Sequence, residues 1–363
     1  MRTTIHNGFP VSLLGFGAMR LPRKDDTTDQ AATDALVKCA LDGGVNYFDT
    51  AYAYGVGESE RALAHALRAS GYPRDAYKVA DKMPFWHVKD ESSFDEIFYK
   101  SLKSLGMDYI DYYLLHAMNQ NSLNKAKAMG TIEWINEKKR QGLVRNIGFS
   151  IHAPYDVLCQ ILDANEWDFA QIQYNYLDED GEPGGQGYRE LLRRGIPIII
   201  MEPLRGGMLT GLPEHIAEPF DKLGGSYASY GFRWLAEKPG IMTVLSGMNE
   251  LSQVEENIEI FTDPQPLTDA EHAAVKEVER NILAANKVPC TRCAYCQPCP
   301  KEIDIPRIFR VWNERALERN PEPISPELIN QAKACIKCRK CERVCPQSII
   351  ITDELQRFVK ENT

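Results

Sequence analysis

The sequence predicts an α/β protein: a (β/α)8 TIM barrel followed by a small α-helical C-terminal domain that binds metal. Two observations predict the barrel. Apolar, strand-like runs alternate with amphipathic, helix-like runs, and there are eight such pairs. A third observation predicts the small domain, because eight of the ten cysteines lie in two short runs near the C-terminus. We place the barrel at residues 1–286 and the cysteine domain at 287–363. A doubly wound sheet is the alternative to the barrel, but eight regular units favour closure.

The barrel elements follow from local patterns. The chain opens with a predicted hairpin, because Arg2–Ile5 and Phe9–Ser12 flank Asn7-Gly8, a pair typical of a type I′ turn. The eight predicted strands are Leu13–Gly17, Val45–Asp49, Lys78–Lys82, Tyr109–His116, Val144–Phe149, Phe169–Tyr174, Pro197–Met201 and Ile241–Ser246. The predicted helices are Gln30–Asp42, Glu58–Ala69, Phe94–Leu105, Ile132–Gln141, Tyr155–Asp163, Tyr188–Arg194, Tyr227–Glu237 and Leu251–Ile260, with Asp269–Asn286 leading to the cysteine domain. Between the cysteine runs we predict a helix over Pro306–Arg319.

Composition and charge exclude several classes of protein. A net charge of −9 argues against nucleic-acid binding, which favours basic surfaces. The longest apolar runs, such as Ile196–Met201, are too short to span a bilayer. The first residues lack the apolar stretch of a signal peptide. We therefore expect a soluble, cytoplasmic protein.

The cysteine spacing predicts iron–sulfur clusters. The second run reads C-x2-C-x2-C-x3-C-P, the spacing of a bacterial two-cluster ferredoxin, in which the fourth cysteine of each run binds the other cluster. The first run differs, with two residues before its last cysteine instead of three. This pattern predicts two [4Fe–4S] clusters: a first cluster held by Cys290, Cys293, Cys296 and Cys345, and a second cluster held by Cys335, Cys338, Cys341 and Cys299.

Structural zinc and disulfide bonds are the two alternative uses of these cysteines. Structural zinc takes four ligands, usually in two separated pairs, and fits these runs poorly. Disulfides are less compatible with a chain that we expect in a reducing compartment. Alternating isoleucines follow both runs, so the segment reads as an internal repeat: Ile303 and Ile305 after the first, Ile349 and Ile351 after the second. Cys39 and Cys159 lie upstream in helical patterns and are predicted to pack in the core.

Four polar residues lie at or just after the carboxyl ends of predicted barrel strands, where the active sites of such barrels lie. Asp49, Lys82 and His116 end strands two, three and four, and Tyr54 follows Asp49 on the next loop. Each alone has a structural explanation: a turn cap, a solvated lysine, a satisfied histidine or a packing aromatic. Their conjunction on successive strands favours catalysis. A lysine cation about 4 Å from a tyrosine hydroxyl would lower its pKa by up to about three units at an effective dielectric of ~20.

At these positions the chain resembles the aldo-keto reductases, whose Asp, Tyr, Lys and His tetrad matches the four residues one by one. The resemblance continues through five further segments: Gly148-Phe149-Ser150, Gln171–Asn175, Pro203–Gly207, Ser246-Gly247-Met248 and Glu256-Asn257. With the cysteine runs, the chain is similar to the branch of that family that carries a C-terminal ferredoxin-type domain. The resemblance implies that Tyr54 is the general acid of carbonyl reduction. Lys82 would lower the pKa of the Tyr54 hydroxyl, Asp49 would offset the positive charge of Lys82, and His116 would orient the substrate oxygen.

The resemblance also implies a nicotinamide dinucleotide bound across the barrel mouth. Ser150 and Gln171 would hold the carboxamide, and Leu204, Gly206 and Gly207 would meet the pyrophosphate. Glu256 and Asn257 would meet the adenine end. No Gly-x-Gly-x-x-Gly follows a strand near the start, so a Rossmann module is not indicated, and no flavin motif is present.

Four positions depart from the family pattern. Ile151 follows Ser150, which would shift a polar contact to His152, and Met201 replaces the usual stacking aromatic. The positions that usually bind the 2′-phosphate of NADP are Gly247 and Gln253, neither of which is cationic, so we expect NADH in preference to NADPH.

Several functions remain open at this stage. The barrel could reduce a small carbonyl compound while the clusters relay electrons to a redox protein. The clusters could instead be structural or redox-sensing. The whole protein could also be a nucleotide-binding redox sensor, or an electron-transfer protein in which the barrel chemistry is secondary. The four residues Phe85, Trp86, His87 and Met118 lie just past strand ends and are expected to line an apolar pocket, with core packing as the alternative for Phe85 and Met118. The sequence does not predict the oligomeric state.

Overall fold

The computed structural model describes residues 1–179, 183–317, 322–345 and 347–363. By the contacts between Cα atoms the chain divides into two compact units. The first comprises Met1–Pro203 and Phe232–Pro266, and the second comprises Leu204–Gly231 and Leu267–Thr363. The segments 204–231 and 267–286, which the sequence assigned to the barrel domain, thus group with the cysteine segment. The predicted boundary at residue 286/287 stays a prediction.

The first unit contains the closed eight-stranded parallel barrel that the sequence predicts. Its strands are β3 (Leu14–Gly17), β6 (Tyr47–Asp49), β7 (Lys78–Pro84), β8 (Ile110–Met118), β9 (Val144–Ile151), β10 (Phe169–Gln173), β11 (Ile198–Met201) and β12 (Ile241–Ser246). Each strand pairs with the next in sequence, and β12 pairs with β3 to close the barrel. Buried side chains of alternate strand positions, including Tyr47, Tyr112 and Phe169, fill the barrel interior.

Two short hairpins accompany the barrel. The predicted N-terminal hairpin is confirmed as β1 (Thr3–His6) and β2 (Phe9–Ser12), which pair antiparallel. Asn7 and Gly8 both have positive φ, 48° and 79°, as a type I′ turn requires. The second hairpin, β4 (Arg23–Lys24) and β5 (Thr27–Thr28), was not predicted from the sequence.

The helices of the first unit bury one face each. They are α1 (Gln30–Asp42), α2 (Glu58–Ala69), α3 (Ser92–Leu105), α4 (Gln120–Ala128), α5 (Thr131–Arg140), α6 (Tyr155–Leu162), α7 (Gly184–Arg193) and α10 (Leu251–Thr262). The sequence did not predict α4, whose Asn119 N-cap forms a reciprocal capping box with Ser122. Cys39 on α1 and Cys159 on α6 are half-buried.

The second unit contains helices and the two cysteine runs. Its helices are α8 (Glu214–Asp221), α11 (Asp269–Ala285), α12 (Ile305–Ala316), α13 (Pro326–Lys333) and α14 (Ile351–Glu361), and α9 (Tyr227–Ala236) begins in it. The predicted helix Pro306–Arg319 corresponds to α12, and residues 318 and 319 of that prediction lie outside the described residues. The core forms around Phe309, Trp312 and Phe358, and six of the cysteines pack against it.

The internal repeat predicted from the isoleucines is visible in the backbone. Positive φ recurs at matched positions after each first cysteine: 61° at Arg292 and 55° at Lys337, then 62° at Ala294 and 56° at Arg339. It recurs again three residues after each last cysteine, at Glu302 and Ser348. Each half then enters a helix, at Ile305 and Ile351 respectively. The second run has one extra residue before its last cysteine, and the backbone conformations of the two halves match again after that cysteine.

In the part of the chain that the structure describes, no helix combines the length and the apolar character needed to cross a bilayer.

Candidate active site

Lys82 is the centre of a buried polar cluster at the carboxyl ends of β6 and β7. Its ammonium group is fully buried and donates to Asp49 Oδ1 at 2.5 Å, to the carbonyl oxygen of Thr50 at 2.7 Å and to the Tyr54 hydroxyl at 3.3 Å. Because β6 and β7 are paired neighbours, Asp49 and Lys82 reach the same end of the barrel. The structure thus brings together three of the four residues predicted from the strand ends.

The pKa of Tyr54 shifts in the direction opposite to our expectation. Burial raises the pKa of this phenol well above its usual value, the Asp49 carboxylate and the Glu202 carboxylate raise it further, and Arg20 opposes them. Asp49 lies closer to the Lys82 ammonium than the phenol does, so it offsets the positive charge that was expected to lower the pKa of Tyr54. Burial also raises the pKa of Asp49, against the influence of Lys82.

His116, the fourth predicted residue, lies on the other side of Tyr54. The two rings meet edge to face, with centroids 5.9 Å apart. Burial, the Lys82 cation and His152 hold the pKa of His116 well below its usual value, so its imidazole is neutral at pH 7. The ring of Trp86 packs against His116 with centroids 5.0 Å apart, although Trp86 itself is 49% exposed.

The four residues expected to line the substrate pocket divide into two groups. Phe85 and Met118 are buried in the core, which is the alternative that the sequence left open. Trp86 is exposed beside His116, and His87 packs edge to face against Tyr52. Only Trp86 and His87 therefore remain candidates for a pocket wall.

A cavity of about 400 Å³ opens beside Tyr54. Its lining includes Ala18, Arg20, Glu58 and Asn249. Sequence reasoning missed Arg20, whose guanidinium lies 3.9 Å from Glu202. Glu202 directly follows β11, and a polar residue after a barrel strand was the signal that could have found it.

A second buried pair of carboxyl groups, Glu60 and Asp81, was also missed. Both side chains are fully buried, and Asp81 accepts a hydrogen bond from the backbone N–H of Lys82 at 2.8 Å. Burial and the charge of Glu60 raise the pKa of Asp81 well above its usual value.

The nucleotide candidates of the first unit lie at or beyond strand ends. Ser150 Oγ accepts from the Ala117 backbone N–H at 2.8 Å, and Gln171 Nε2 lies 3.5 Å from Met201 Sδ. Burial lowers the pKa of His152 to about 4. The remaining candidates lie on or next to α10: Gly247 precedes the helix, and Gln253, Glu256 and Asn257 lie within it. The side-chain oxygen of Gln253 accepts a hydrogen bond from the backbone N–H of Asn249. Asn257 Nδ2 donates to Ser246 Oγ at 3.0 Å.

The other nucleotide candidates belong to the second unit. Leu204, Gly206 and Gly207 form a tight turn directly after Pro203. Gly206 has φ 65° and ψ 25°, and Gly207 has φ 85° and ψ 3°, which are left-handed conformations that glycine adopts without strain. Arg205 has φ 48° and so extends the left-handed run. Successive N–H groups in such a turn form a concave anion-binding site.

The cysteines approach each other across the two runs. Burial raises the pKa of the Cys296 thiol to about 12, and the charges of Cys293, Cys290, Cys345 and, least, Cys341 raise it further. Cys299 of the first run lines one pocket together with Cys335, Cys338 and Cys341 of the second run. Closely spaced thiols contributed by both runs are a donor set that fits an iron–sulfur cluster.

Among the described residues, no three His, Cys, Asp or Glu side chains are positioned to hold one metal ion. The choice of an iron–sulfur cluster over zinc rests on the spacing of the cysteines in the two runs.

These features define a barrel oxidoreductase with an attached iron–sulfur domain. The chain belongs to the aldo/keto reductase family, whose model matches residues 13–280. Residues 289–350 match the model of the 4Fe-4S dicluster domain. The resemblance inferred from the tetrad and the cysteine runs is therefore confirmed, and the chain is an NAD(P)-dependent oxidoreductase of the aldo-keto reductase type.

Individual relatives agree with the family assignment. The chain is 29% identical over 313 residues to L-galactose dehydrogenase of Arabidopsis thaliana, covering 78% of this chain and 96% of that protein. It is 26% identical over 285 residues to the NADH-specific methylglyoxal reductase of Escherichia coli K12, covering 65% and 83%. The barrel fold is shared with an aldo-keto reductase of Klebsiella pneumoniae in complex with NADP and acetate, with TM-score 0.62, 20% identity and coverage of 77% of this chain and 95% of that one.

Proposed function

We propose that the protein reduces an aldehyde or ketone with a nicotinamide nucleotide, and that Tyr54 is the proton donor. The observation that carries this proposal is the contact of the Tyr54 hydroxyl with the buried Lys82 ammonium, at 3.3 Å, beside a cavity of about 400 Å³. The bound reduced nicotinamide supplies the hydride. The residues of the chain supply the proton and the orientation of the carbonyl.

Each member of the tetrad has a distinct task in this proposal. The phenol of Tyr54 donates its proton to the carbonyl oxygen as negative charge develops there. Lys82 then stabilises the phenolate that remains, because its ammonium group already contacts that oxygen. The neutral imidazole of His116 orients the carbonyl oxygen by hydrogen bonding. Asp49 keeps Lys82 charged in a fully buried position.

The nucleotide would be held in the first unit by Ser150, His152, Gln171, Met201 and the residues around α10. The names of two relatives favour different cofactors, since one relative is NADH-specific and another was solved with NADP. We propose NADH, because Gly247 and Gln253 offer no cation to a 2′-phosphate.

Replacing Tyr54 by Phe tests the proposal. The proton donor is lost while the ring remains, so kcat should fall by about 10²–10⁴-fold. NADH binding, followed by fluorescence, should not change. Tyr52→Phe is the matched control, because Tyr52 is on the same loop and its ring packs edge to face against His87. Methylglyoxal and a panel of aldehydes and ketones serve as substrates. A Tyr54→Phe variant that keeps wild-type turnover contradicts the assignment.

For the cysteine domain we propose two [4Fe–4S] clusters that exchange electrons with an acidic protein. The second cysteine run is the more exposed: Cys338 is exposed, and so are the apolar side chains Ile336 (56%) and Val344 (43%). Four exposed cations interleave them, namely Lys337, Arg339, Lys340 and Arg343. An apolar patch ringed by one sign of charge is typical of a transient docking surface.

This part of the proposal has its own test. Reduction of the second cluster by an acidic ferredoxin should slow with rising salt and should slow further in a Lys340→Glu variant. Lys360→Glu, on exposed α14, is the control. Equal rates in the two variants contradict the docking surface, and clusters that are never reduced by any carrier favour a structural role.

A further inference from the structure

The cavity beside Tyr54 is lined entirely by residues of the first unit. Part of its wall is the short turn Ala18–Arg20, which directly follows β3 and so lies at the carboxyl end of the barrel. Ser59 of α2 fixes this turn, because its hydroxyl donates to the carbonyl oxygen of Ala18 at 2.7 Å. The turn therefore holds Arg20 on the wall of the same cavity that Tyr54 lines.

The hairpin of β4 and β5 forms another part of the wall, and its charges offset each other. Glu58, at the start of α2, accepts hydrogen bonds from the backbone N–H and the hydroxyl of Thr28, at 2.7 and 2.8 Å. The guanidinium of Arg23 lies 3.5 Å from the same carboxylate and also donates to the carbonyl oxygen of Asp26. Arg23 and Glu58 therefore hold the hairpin on α2, and together they add no net charge to the cavity.

The charge of Arg20 is less completely offset. Its guanidinium lies 3.9 Å from Glu202, beyond hydrogen-bonding distance, and among the described residues this is its one contact with a carboxylate. Glu202 is not one of the residues that line the cavity, and the side chain of Arg20 is 39% exposed. Because a guanidinium has five N–H donors, Arg20 can bind a further carboxylate that enters the cavity.

The cavity lies on the substrate side of the proposed site. Of the residues that line it in the described part of the chain, none is among the predicted nucleotide contacts, whereas Tyr54 is the proposed proton donor. The Arg20 cation is also close enough to act on that phenol, since it opposes the rise in the pKa of Tyr54 that burial causes. A carbonyl group at Tyr54 and an anionic group at Arg20 can thus belong to one small molecule in a cavity of about 400 Å³.

We propose that Arg20 determines substrate specificity by binding a carboxylate of the substrate, so that the protein prefers aldehydes or ketones that carry a carboxylate over uncharged ones. This inference rests on the proposed function, since it places the reacting carbonyl at Tyr54. The planar guanidinium matches the two oxygens of a carboxylate and fixes its orientation as well as its position. An uncharged substrate of the same shape lacks this interaction.

The test compares aldehydes that carry a carboxylate at different distances from the carbonyl group with their uncharged amides. The acids are glyoxylate, succinic semialdehyde and glucuronate, and the readout is NADH oxidation by the full chain with its clusters. For the acid whose length fits the cavity, we expect kcat/KM to exceed that of its amide by about tenfold or more. The preference should shrink with rising salt, because Arg20 is partly exposed. Equal kcat/KM for every acid and its amide overturns the inference and leaves carbonyl reduction intact, whereas no reduction of any carbonyl compound overturns both.

Variants separate recognition of the carboxylate from a general loss of activity. Arg20→Gln should lower kcat/KM for the preferred acid by about tenfold more than for its amide, mainly through KM. Arg20→Lys should restore part of the difference, since lysine keeps the charge but not the bidentate geometry. Lys24→Gln is the matched control, because it removes the same charge from an exposed position on β4 and should leave the preference unchanged. Equal losses for acid and amide in Arg20→Gln overturn the inference. A loss confined to NADPH binding also overturns it and assigns Arg20 to the 2′-phosphate of that nucleotide.

Discussion

Removing the charge of Asp49 should move the pKa of Tyr54 downward. In Asp49→Asn the side chain keeps its shape and can still accept from Lys82, but the negative charge 2.5 Å from the ammonium is gone. The repulsion between this carboxylate and a phenolate at Tyr54 is then lost, whereas the attraction from Lys82, 3.3 Å from the phenol oxygen, is present in both proteins. The two contacts place the carboxylate within about 6 Å of the phenol oxygen, so at an effective dielectric of ~20 the lost repulsion is about 3 kcal/mol, or about 2 pKa units. The pKa of Tyr54 lies well above its usual value in the wild type, and the variant should lower it toward the alkaline range of the assay.

The assay is the pH dependence of kcat for carbonyl reduction between pH 6 and 10. A proton donor works only while protonated, so the variant should lose activity on the alkaline side at a pH where the wild type is still active. The variant should also lose about 3–5 kcal/mol of stability, because a buried ion pair has lost one partner. Asp111→Asn is the control: Asp111 is equally buried and pairs with Arg74 at 2.5 Å, but at the other end of the barrel. It should lose stability with an unchanged pH profile. A folded Asp49→Asn enzyme that stays fully active to pH 10 would refute the reasoning.

Three further predictions concern acid stability, cluster ligation and the pocket wall. Burial lowers the pKa of His152 to about 4. As the pH falls, the unfolded chain therefore binds a proton at this residue near pH 6.5, whereas the folded chain binds it only near pH 4. The free energy of unfolding should therefore fall from pH 6.5 to pH 4 by up to about 3 kcal/mol for this residue, and His152→Gln should flatten that slope in urea titrations. If ligands cross between the runs, Cys293→Ser with Cys345→Ser should lose one cluster, leaving about four iron atoms, whereas Cys293→Ser with Cys299→Ser should lose both. The opposite iron contents would establish uncrossed ligation. Trp86→Ala should raise KM without lowering the melting temperature, whereas Phe85→Ala, in the core, should cost about 3–5 kcal/mol of stability, and equal melting temperatures would contradict this distinction.

The sequence predicts the barrel well because strand runs and helix runs differ in period, and the error at most boundaries is one or two residues. It fails where a local pattern is ambiguous. The start of α7 at Gly184 was missed because glycines disfavour helices, although there they are buried.

The grouping of the tetrad was predictable because Asp49, Lys82 and His116 lie toward the carboxyl ends of neighbouring strands, and Tyr54 lies on the loop after Asp49. Parallel strands of a barrel end on one rim. The effect of Lys82 on Tyr54 was not predictable, since it depends on two distances. A sequence shows that Asp49 and Tyr54 are five residues apart, but not that the carboxylate lies nearer to the ammonium than the phenol does. The hydrogen bond from Arg292 Nη2 to the carbonyl oxygen of Gly206 was also not predictable, because 86 residues separate its partners.

The raised pKa of Tyr54 bears on the direction of the reaction. In the proposed reduction, the phenol gives its proton to a developing alkoxide, a base comparable to hydroxide and far stronger than a phenolate. A phenol with a raised pKa still transfers its proton downhill to such a base, and it stays protonated over the physiological pH range. In alcohol oxidation the same residue must begin as a phenolate, which burial and the carboxylates of Asp49 and Glu202 disfavour. With Tyr54 in its proposed role, we therefore expect carbonyl reduction to be faster than alcohol oxidation near neutral pH. Oxidation should gain rate with rising pH more steeply than reduction does, and parallel pH profiles in the two directions would contradict this assignment.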